Sequence, residues 1–422
     1  MPETERPLPP TVVGFRSRQM IINSCRAMFG STSRIGLSCA GLLTACHLAY
    51  ADLRSTESSP RGTAAQVVAV PNVILDTDIW SDIDDMLALA MLHALHDRHE
   101  VNLVAVTIST DDPWCATYVD LVNTFYGHSQ VSVGIVHGGM NTEAFQNRFP
   151  DVTWPVTRYT QIISQRKKSD GSPMYPHRLT DGTKAPGAVS LLRETLAAQP
   201  DRSVIVIQIG YSTNLARLLD SQADAVSALN GRDLVRKKVR FLSVMAGNFR
   251  ETKSDGKTLP PGQPEFNLMV DVPAARTVFS SWPTPIVDSG FEIGLAMLYP
   301  GQTIAHDYAY VEHHPIADTY RTYCEEMKAS DSKFKRCPRD HDHATYDLTS
   351  VLYAARPDRD YLSLSKPGKI TVLEDGGSRF DESESGTHHY LILSEEQKAR
   401  TLEAMVMLAS QPPVHSSQQY AP

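Results

Sequence analysis

The strongest constraint on the fold is a regular alternation of apolar, β-branched runs with helical patterns that starts near residue 67. Two helical patterns, MLALAMLHALH and the segment Tyr118 to Tyr126, separate three apolar runs, VVAVPNVILDTD, VNLVAVTIST and VSVGIV. Strand, helix, strand, helix and strand at this spacing imply parallel strands with right-handed crossovers. The sequence therefore predicts an α/β fold with a mostly parallel central sheet flanked by helices.

The same alternation continues to the end of the chain. Further strands are predicted at SVIVIQIG, VRFLSVMAG and TPIVDSG, an antiparallel closing hairpin over residues 362–393, and helices over Ala188–Ala198, Asn214–Asp220, Asp271–Phe279 and Glu395–Leu408. No internal repeat or linker divides this part. We therefore expect one large domain over residues 71–410 and a polar tail over 411–422. Ligands of such sheets bind at the carboxyl ends of the strands.

Residues 1–51 are predicted to be an N-terminal extension and signal peptide, with Met20 or Met28 as alternative starts. The apolar run IGLSCAGLLTACHLA is too short to span a membrane and leads to the small-residue cleavage pattern Ala49-Tyr50-Ala51. A polar linker, residues 52–70, follows. The sequence thus predicts a secreted or periplasmic protein. The motif Leu43-Thr44-Ala45-Cys46 resembles a bacterial lipoprotein signal, so a lipid anchor at Cys46 is the alternative.

Charge and cysteine content restrict the partners further. A net charge of -8 and a pI near 6.0 argue against a nucleic-acid partner. No later segment is apolar enough to predict a transmembrane span, and a homo-oligomer is compatible with the sequence. Export permits a disulfide between Cys324 and Cys337, with two unpaired thiols as the equal alternative.

The main chemical signal is a cluster of five aspartates within ten residues, 76–85. Asp76 and Asp78 are two apart at a strand end and project to the same side, whereas Asp84 and Asp85 begin the next helix. Each close pair costs about 1 kcal/mol or more once solvent is partly excluded, and a cation removes this repulsion. Ligands that are all hard oxygens favour calcium or magnesium over zinc. The alternative is a solvated acidic loop with a helix cap at Asp82 or Asp84.

The segment ILDTDIWSDIDDMLALA resembles the signature of the inosine-uridine nucleoside hydrolase family, a strand ending in Asp-x-Asp followed by Asp-Asp-Ala on a helix. It has two more loop residues than the best-known members, as in a secreted bacterial and fungal branch. Three further blocks are similar in the same order: VIVIQIGYSTNLARLL, PEFNLMVDVPAARTVF and ATYDLTSVLYAA. The resemblance covers about residues 72–410. It implies a Rossmann-like nucleoside hydrolase architecture, Ca²⁺ as cofactor, and hydrolysis of the N-glycosidic bond of a small ribonucleoside.

The resemblance also implies a role for each matched residue. Asp78 would be a calcium ligand and the general base, and Asp76 would orient the ligands from behind. The other calcium ligands would be Asp85, Asp347 and the backbone carbonyl of Ile209. The sugar would be held by Asp84, Glu265 and Asn267, with Met245 lining its pocket.

Several positions depart from the family pattern or permit another interpretation. Trp80 stands where relatives often have glycine, so either the loop avoids positive φ or the ring forms a new wall of the substrate pocket. Tyr346 replaces a histidine that protonates the leaving base and is predicted to be a weaker acid. Asp111 and Asp112 stand where an asparagine usually meets the ribose.

Simpler structural roles are the alternatives at other positions. Asn267 would cap the helix ahead of Asp271, and Glu265 would be a surface residue. The run from Asp340 to His343 is predicted to be a solvated loop, with metal binding as the alternative.

Two other functions compete with nucleoside hydrolysis. A haloacid-dehalogenase-like phosphatase would use Asp76 as nucleophile and Asp78 as acid. An exported protein that binds nucleosides with calcium but has lost catalysis is the other alternative.

Overall fold

The computed structural model describes residues 70–80, 82–150, 157–254, 257–330 and 341–414. The strands in these ranges are β1 (Asn72–Thr77), β2 (Asn102–Thr110), β3 (Ser132–Met140), β4 (Val204–Gln208), β5 (Val239–Met245), β6 (Thr252–Ser254), β7 (Lys257–Leu259), β8 (Ile286–Ser289), β9 (Leu298–Tyr299), β10 (His343–Ala344), β11 (Ser363–Leu364), β12 (Gly368–Val372), β13 (Ser378–Glu382) and β14 (His388–Ile392). The helices are α1 (Asp84–Asp97), α2 (Pro113–Phe125), α3 (Thr142–Arg148), α4 (Tyr159–Ser164), α5 (Ala188–Ala198), α6 (Thr213–Asp220), α7 (Gly231–Lys238), α8 (Phe266–Val270), α9 (Val272–Ser281), α10 (Phe291–Ala296), α11 (Gly301–His306), α12 (Pro315–Ser330), α13 (Leu348–Ala355) and α14 (Glu395–Ala409). Apart from the short hairpin β6–β7, these elements lie in one compact unit.

A ten-stranded sheet forms the centre of this unit. Its strand order is β13-β12-β14-β8-β5-β4-β1-β2-β3, and β11 pairs with β14. Every neighbouring pair from β14 to β3 is parallel. The predicted α/β fold with a mostly parallel sheet is therefore confirmed.

Strand β1 lies in the interior of this sheet, between β2 and β4. Its side chains alternate between two apolar clusters, because Val73 and Leu75 belong to one cluster and Ile74 to the other. Helices α1, α2, α13 and α14 contribute to the first cluster, and α5, α6, α7 and α9 to the second. A strand covered on both faces needs a continuous apolar sequence, and its carboxyl end is where polar side chains emerge.

The structure corrects two predicted elements. Residues 362–393 do pair antiparallel among themselves, since β12 pairs with β13 and β14 pairs with both β11 and β12. They form four short strands rather than one hairpin, and β14 also pairs parallel with β8. The open edge of β8 accepts β14, so the chain leaves the hairpin to extend the main sheet. Helix α2 begins at Pro113 rather than Tyr118, because Asp112 caps it through the N–H of Trp114 at 2.9 Å and proline suits the first helical position.

The predicted signal peptide, the linker up to residue 69, Cys46 and Cys337 lie outside the described residues. Secretion, lipid attachment and the membership of a secreted branch therefore stay predictions. Cys324 is disulfide-bonded, and Cys115 is a buried free thiol. None of the described helices is both long and apolar enough to cross a bilayer.

Candidate active site

Asp76, near the end of β1, has a carboxylate that is completely enclosed (0% exposed). Its Oδ1 accepts hydrogen bonds from Thr107 Oγ1 at 2.6 Å and Asn214 Nδ2 at 2.8 Å. Burial raises the pKa of Asp76 to about 7, although the two hydrogen bonds oppose the shift. An enclosed carboxylate presents no attacking oxygen to a substrate. The phosphatase alternative, which needs Asp76 as nucleophile, is therefore not favoured.

Asp78 follows β1 directly and keeps a small exposed fraction of 8%. Thr110 Oγ1 donates to its backbone carbonyl at 2.9 Å, and Gly210 approaches so closely that an added Cβ would collide with the Asp78 backbone nitrogen. Burial raises the pKa of Asp78 to about 8; a hydrogen bond from Tyr211 opposes this shift, and the neighbouring Asp84 reinforces it. Asp78 is therefore a carboxyl group in a fixed position, and its burial favours the protonated form when no cation is near.

Asp84 and Asp85 are the first two residues of α1. The helix cap is Ile83, which makes no side-chain capping bond, so the predicted alternative of a cap at Asp82 or Asp84 is wrong. Asp85 instead accepts a hydrogen bond from the Thr77 hydroxyl at the end of β1. Carboxylates in the first helical turn also interact favourably with the positive end of the helix dipole.

Asp347 joins this pair from the far end of the chain, where it stands directly before α13 and its side chain makes no capping hydrogen bond. Asp84 Oδ2 accepts the backbone N–H groups of Tyr346 at 2.7 Å and of Asp347 at 3.3 Å. As a result, one carboxylate oxygen each from Asp84, Asp85 and Asp347 lie within 4.8 Å of one another. All three residues are buried.

The electrostatics of the three carboxylates indicate a cation site. Burial raises the pKa of Asp85 and of Asp347 well above its ordinary value, and the charges that raise them further are those of other aspartates, including Asp78. Buried like charges at this spacing are costly unless a cation neutralises them. Oxygen-only ligands fit calcium or magnesium. The structure thus brings together two of the three predicted aspartate ligands, Asp85 and Asp347, and adds Asp84, which was predicted to hold the sugar. The third predicted ligand, Asp78, acts on both through its charge.

The predicted carbonyl ligand, Ile209, follows β4 and meets the predicted sugar residue Asn267. Asn267 Nδ2 donates to the Ile209 carbonyl and to the Met245 carbonyl, both at 3.1 Å, and lies 3.3 Å from the Met245 sulfur. The capping alternative for Asn267 is wrong, because Asp271 caps α9 itself through Ala274 N at 3.2 Å. Asn267 therefore links the carboxyl ends of β4 and β5.

Glu265 caps α8 and is buried (4% exposed), so the surface alternative is also wrong. Its Oε1 accepts the N–H of Asn267 at 2.9 Å, and its Oε2 accepts those of Leu268 at 3.2 Å and Gly247 at 3.1 Å. Gly247 has φ +66, a left-handed conformation that favours glycine. The Glu265 carboxylate is thereby held at the end of β5, beside Asn267.

Comparison with known proteins decides the family. The family model described as inosine-uridine preferring nucleoside hydrolase matches residues 73–408. The chain belongs to this family. It is therefore a hydrolase that acts on N-glycosyl compounds. The family is metal-dependent, and the buried aspartates are the metal-site candidates of this chain.

Solved structures of other nucleoside hydrolases have the same fold. A purine-preferring ribonucleoside hydrolase from Gardnerella vaginalis has 16% identity and a TM-score of 0.55, covering 80% of this chain and 98% of its own. The plant nucleoside hydrolase PpNRh1 has 17% identity and a TM-score of 0.55, covering 81% of this chain and 99% of its own. An inosine-uridine preferring nucleoside hydrolase from Bacillus anthracis has 15% identity and a TM-score of 0.54, covering 81% of this chain and 99% of its own. A search of curated proteins found no significant match.

Tyr346, which replaces the usual histidine of this hydrolase family, is held against α10. Its ring stacks on Phe291, with ring centroids 5.3 Å apart and an interplanar angle of 16°. Gly294 is required on the same helix, since an added Cβ would collide with the Tyr346 ring. The Tyr346 ring is therefore held in a fixed position immediately before Asp347.

Trp80 was predicted either to stand in a loop that avoids positive φ or to form a new wall of the substrate pocket, and the structure supports the first. It is not among the described non-glycine residues with positive φ, so the loop avoids that region. The ring is buried (1% exposed) and meets Phe145 edge-to-face at 5.7 Å. Trp80 therefore packs in the apolar core next to the acidic loop of the hydrolase site.

Asp111 and Asp112, which stand where hydrolases of this family often have a ribose-binding asparagine, hold the local backbone. Asp111 Oδ2 accepts the N–H groups of Gly138 at 2.8 Å and Gly139 at 3.3 Å. Asp112 is the cap of α2. Both carboxylates therefore accept hydrogen bonds from the backbone around them.

His343 is a site residue that sequence reasoning missed. Its Nε2 lies 2.6 Å from Asp82 Oδ1, so the predicted solvated loop is wrong at this residue. Asp342 is likewise engaged, accepting the N–H of Gly301 at 2.9 Å, whereas Asp340 lies outside the described residues. Burial disfavours charge on both partners, yet their pairing lowers the pKa of Asp82 and raises that of His343. The alternating Asp and His residues from Asp340 to His343 marked this segment in the sequence, but they did not indicate that His343 pairs with Asp82.

Proposed function

We propose that this hydrolase cleaves ribonucleosides with a calcium ion held by Asp84, Asp85 and Asp347, with Asp78 and the Ile209 carbonyl as further ligands. The observation that carries the proposal is the convergence of three buried carboxylate oxygens within 4.8 Å. Calcium is favoured over magnesium because calcium accepts several carboxylates and carbonyls in a flexible shell, whereas magnesium usually keeps most of its waters. When bound, the ion would supply Lewis acidity toward a water and an anchor for the sugar diol.

Asp78 is the proposed general base. It retains 8% exposure, whereas Asp76 behind it retains none. Its pKa of about 8 describes the carboxylate without a neighbouring cation, and a cation favours the ionised form that accepts a proton. Asp78 would take the proton of the attacking water. Asp76 would keep the end of β1 in place through Thr107 and Asn214.

Asp84 and Asn267 are the proposed sugar-binding residues. Asp84 uses Oδ2 for two backbone N–H groups, which fixes its orientation. Its negative charge would stabilise the oxocarbenium-like sugar as positive charge develops. The Asn267 amide nitrogen is committed to the Ile209 and Met245 carbonyls, so its Oδ1 is oriented to accept a ribose hydroxyl.

Tyr346 is the proposed partner of the leaving base. A phenol, with an ordinary pKa of about 10, donates a hydrogen bond at neutral pH but is a weaker proton donor than a histidinium. Its stacking on Phe291 supports a role that depends on the direction of the hydroxyl. We therefore expect leaving-group assistance that is weaker than the histidine of relatives supplies.

The test is product analysis with purified protein, calcium and a panel of ribonucleosides in phosphate-free buffer. Release of free base and free ribose in equal amounts supports hydrolysis. Saturable binding of a nucleoside without either product would identify the catalytically inactive binding protein instead. Release of phosphate from nitrophenyl phosphate without nucleoside cleavage would overturn the proposal in favour of a phosphatase.

A further inference from the structure

Asp82 lies in the loop between β1 and α1 and has no part in the mechanism proposed above. Its Oδ1 lies 2.6 Å from Nε2 of His343 and also accepts the N–H of Ile83 at 2.7 Å. The side chains of His343 and Asp82 are only 15% and 23% exposed. Asp82 is not one of the three carboxylates whose oxygens lie within 4.8 Å of one another. The pair therefore stands beside the candidate cation site, and its role depends on what it connects.

The pair connects the two chain segments that carry the carboxylates of the cation site. Asp84 and Asp85 follow Asp82 at the start of α1, and Asp347 follows His343 directly before α13. The same two segments are joined a second time, because Asp84 Oδ2 accepts the N–H of Asp347 at 3.3 Å. Two separated contacts prevent the relative rotation that a single contact would allow.

Repulsion between the carboxylates acts against this arrangement. Asp84, Asp85 and Asp347 are all buried, and their oxygens converge within 4.8 Å. Like charges in a low-dielectric environment repel strongly when no cation lies between them. The repulsion pushes the segment before α13 away from the start of α1. The contact between His343 and Asp82 opposes this separation.

His343 can resist the repulsion because its own position is fixed. Strand β10, which begins at His343, pairs antiparallel with β9, and His343 lies opposite Tyr299. Nδ1 of His343 lies 3.3 Å from Nε2 of His341, so both ring nitrogens of His343 are engaged. Thr345 then donates its N–H to the Met297 carbonyl at 3.0 Å.

The loop around Asp82 is held from a second direction. The Asp82 carbonyl accepts the hydroxyl of Tyr159 in α4 at 2.7 Å, and the Trp80 carbonyl accepts the hydroxyl of Thr157 at 3.2 Å. These contacts fix the backbone of the loop. The contact with His343 then ties that backbone to the chain before α13.

We propose that His343 is a positioning residue that, through Asp82, holds Asp347 and the start of α1 at the separation that a cation requires. His343 would contact neither the ion nor the substrate. Side chains that orient metal ligands in this way typically contribute about 10- to 100-fold to metal affinity. This inference rests on the proposed function, because the cation site comes from it.

The experiment measures calcium affinity by titration calorimetry of metal-free protein, which needs no substrate. His343→Phe keeps an aromatic ring but removes both nitrogens, and should weaken calcium binding about 10- to 100-fold. His343→Gln retains an N–H donor that can replace Nε2, and should bind calcium within about threefold of the wild type. His343→Leu, which also lacks a donor, repeats the measurement with a smaller side chain.

His389→Phe is the matched control. His389 is also half-buried, and its Nδ1 lies 2.9 Å from the Ser365 carbonyl, but it belongs to β14 and not to the segments of the cation site. This variant should bind calcium as the wild type does.

A double-mutant cycle assigns the effect to the pair. Asp82→Ala removes the partner of His343 and also a negative charge near the ion, so its own loss of calcium affinity has two causes. In the Asp82→Ala background, His343→Phe should change calcium affinity by less than about twofold, because the contact no longer exists. An equal loss in both backgrounds would show that His343 acts without Asp82 and would overturn the proposal.

A dissociation constant describes the folded molecules, and the calorimetric stoichiometry gives their fraction, so a destabilised variant stays informative. Wild-type calcium affinity in both His343→Phe and His343→Leu would overturn the positioning role, while calcium-dependent hydrolysis by the wild type would leave the proposed function intact. If the wild type binds no calcium, the proposed cation site fails and the role of His343 with it.

Discussion

The backbone N–H of Tyr346 donates a hydrogen bond of 2.7 Å to Asp84 Oδ2, although the two residues are 262 positions apart. This contact joins the first turn of α1 to the residue pair that precedes α13. It places the proposed metal ligand Asp347 and the proposed leaving-group residue Tyr346 on one backbone segment. Asp84 therefore fixes the positions of both residues through the hydrogen bonds that its Oδ2 accepts.

Calcium should stabilise the protein, because it binds the carboxylate cluster only in the folded state. At a free concentration about 100 times Kd the gain is about 2.7 kcal/mol, which raises Tm by several degrees. Asp85→Asn and Asp347→Asn should lose most of this gain. Thermal unfolding with calcium and with a chelator measures it. The control is Asp358→Asn, at an exposed aspartate outside the cluster, which should keep the full shift. An undiminished shift in both cluster variants would show that the ion binds elsewhere.

The stabilisation by calcium should increase with pH. Burial raises the pKa of Asp78 to about 8 and that of Asp84 to about 7, so the metal-free fold favours their protonated forms. The stability that these groups contribute is present below their unfolded pKa of about 4 and is lost as pH rises toward 8. Calcium replaces those protons. Urea unfolding at about pH 5 and pH 8 should show a larger calcium increment at the higher pH. A constant increment would mean that these carboxyl groups do not exchange protons for the ion.

Asp78→Asn should lower kcat by roughly 10²-fold or more, because an amide cannot accept the proton of the attacking water. Asp76→Asn should lower it much less, because an asparagine oxygen can still accept from Thr107 and Asn214. Steady-state kinetics of both variants at saturating calcium tests the difference. Equal losses would assign both residues to structural support, and full activity in Asp78→Asn would remove it from catalysis.

Tyr346→Phe should slow nucleoside hydrolysis far more than nitrophenyl riboside hydrolysis. The substitution keeps the ring that stacks on Phe291 and removes only the hydroxyl. Nitrophenolate leaves without a proton, whereas nucleobases need a donor. The measurement is the ratio of kcat/KM for the two substrates in wild type and variant. Equal losses would show that the hydroxyl acts in packing or sugar binding.

The sequence predicted the fold where local patterns determine it. Apolar runs and helical periodicity placed the strands of the parallel sheet, and the predicted bounds of α5, Ala188–Ala198, are those observed. The antiparallel pairing of β14 was predicted correctly, but its parallel pairing with the edge of β8 was not. Local periodicity identifies a strand but does not select its neighbour.

The site was predictable to the level of its aspartates, since Asp84, Asp85 and Asp347 do converge. The contacts that orient them were not predictable. His343 meets Asp82 across 261 residues, and Asn267 uses its amide to join two strand ends instead of capping a helix. Such pairings depend on tertiary packing, and a residue type at a given spacing permits several of them.

The most direct test of the account is nucleoside hydrolysis by protein freed of metal with a chelator and then titrated with calcium. Liquid chromatography of released base and ribose provides the measurement. We expect no detectable release from the metal-free protein, and activity that rises with calcium and saturates at one ion per chain. Asp85→Asn, assayed alongside, should stay inactive at the same calcium concentrations. Undiminished hydrolysis by the metal-free wild type would contradict the central claim that the buried aspartates act by holding a cation.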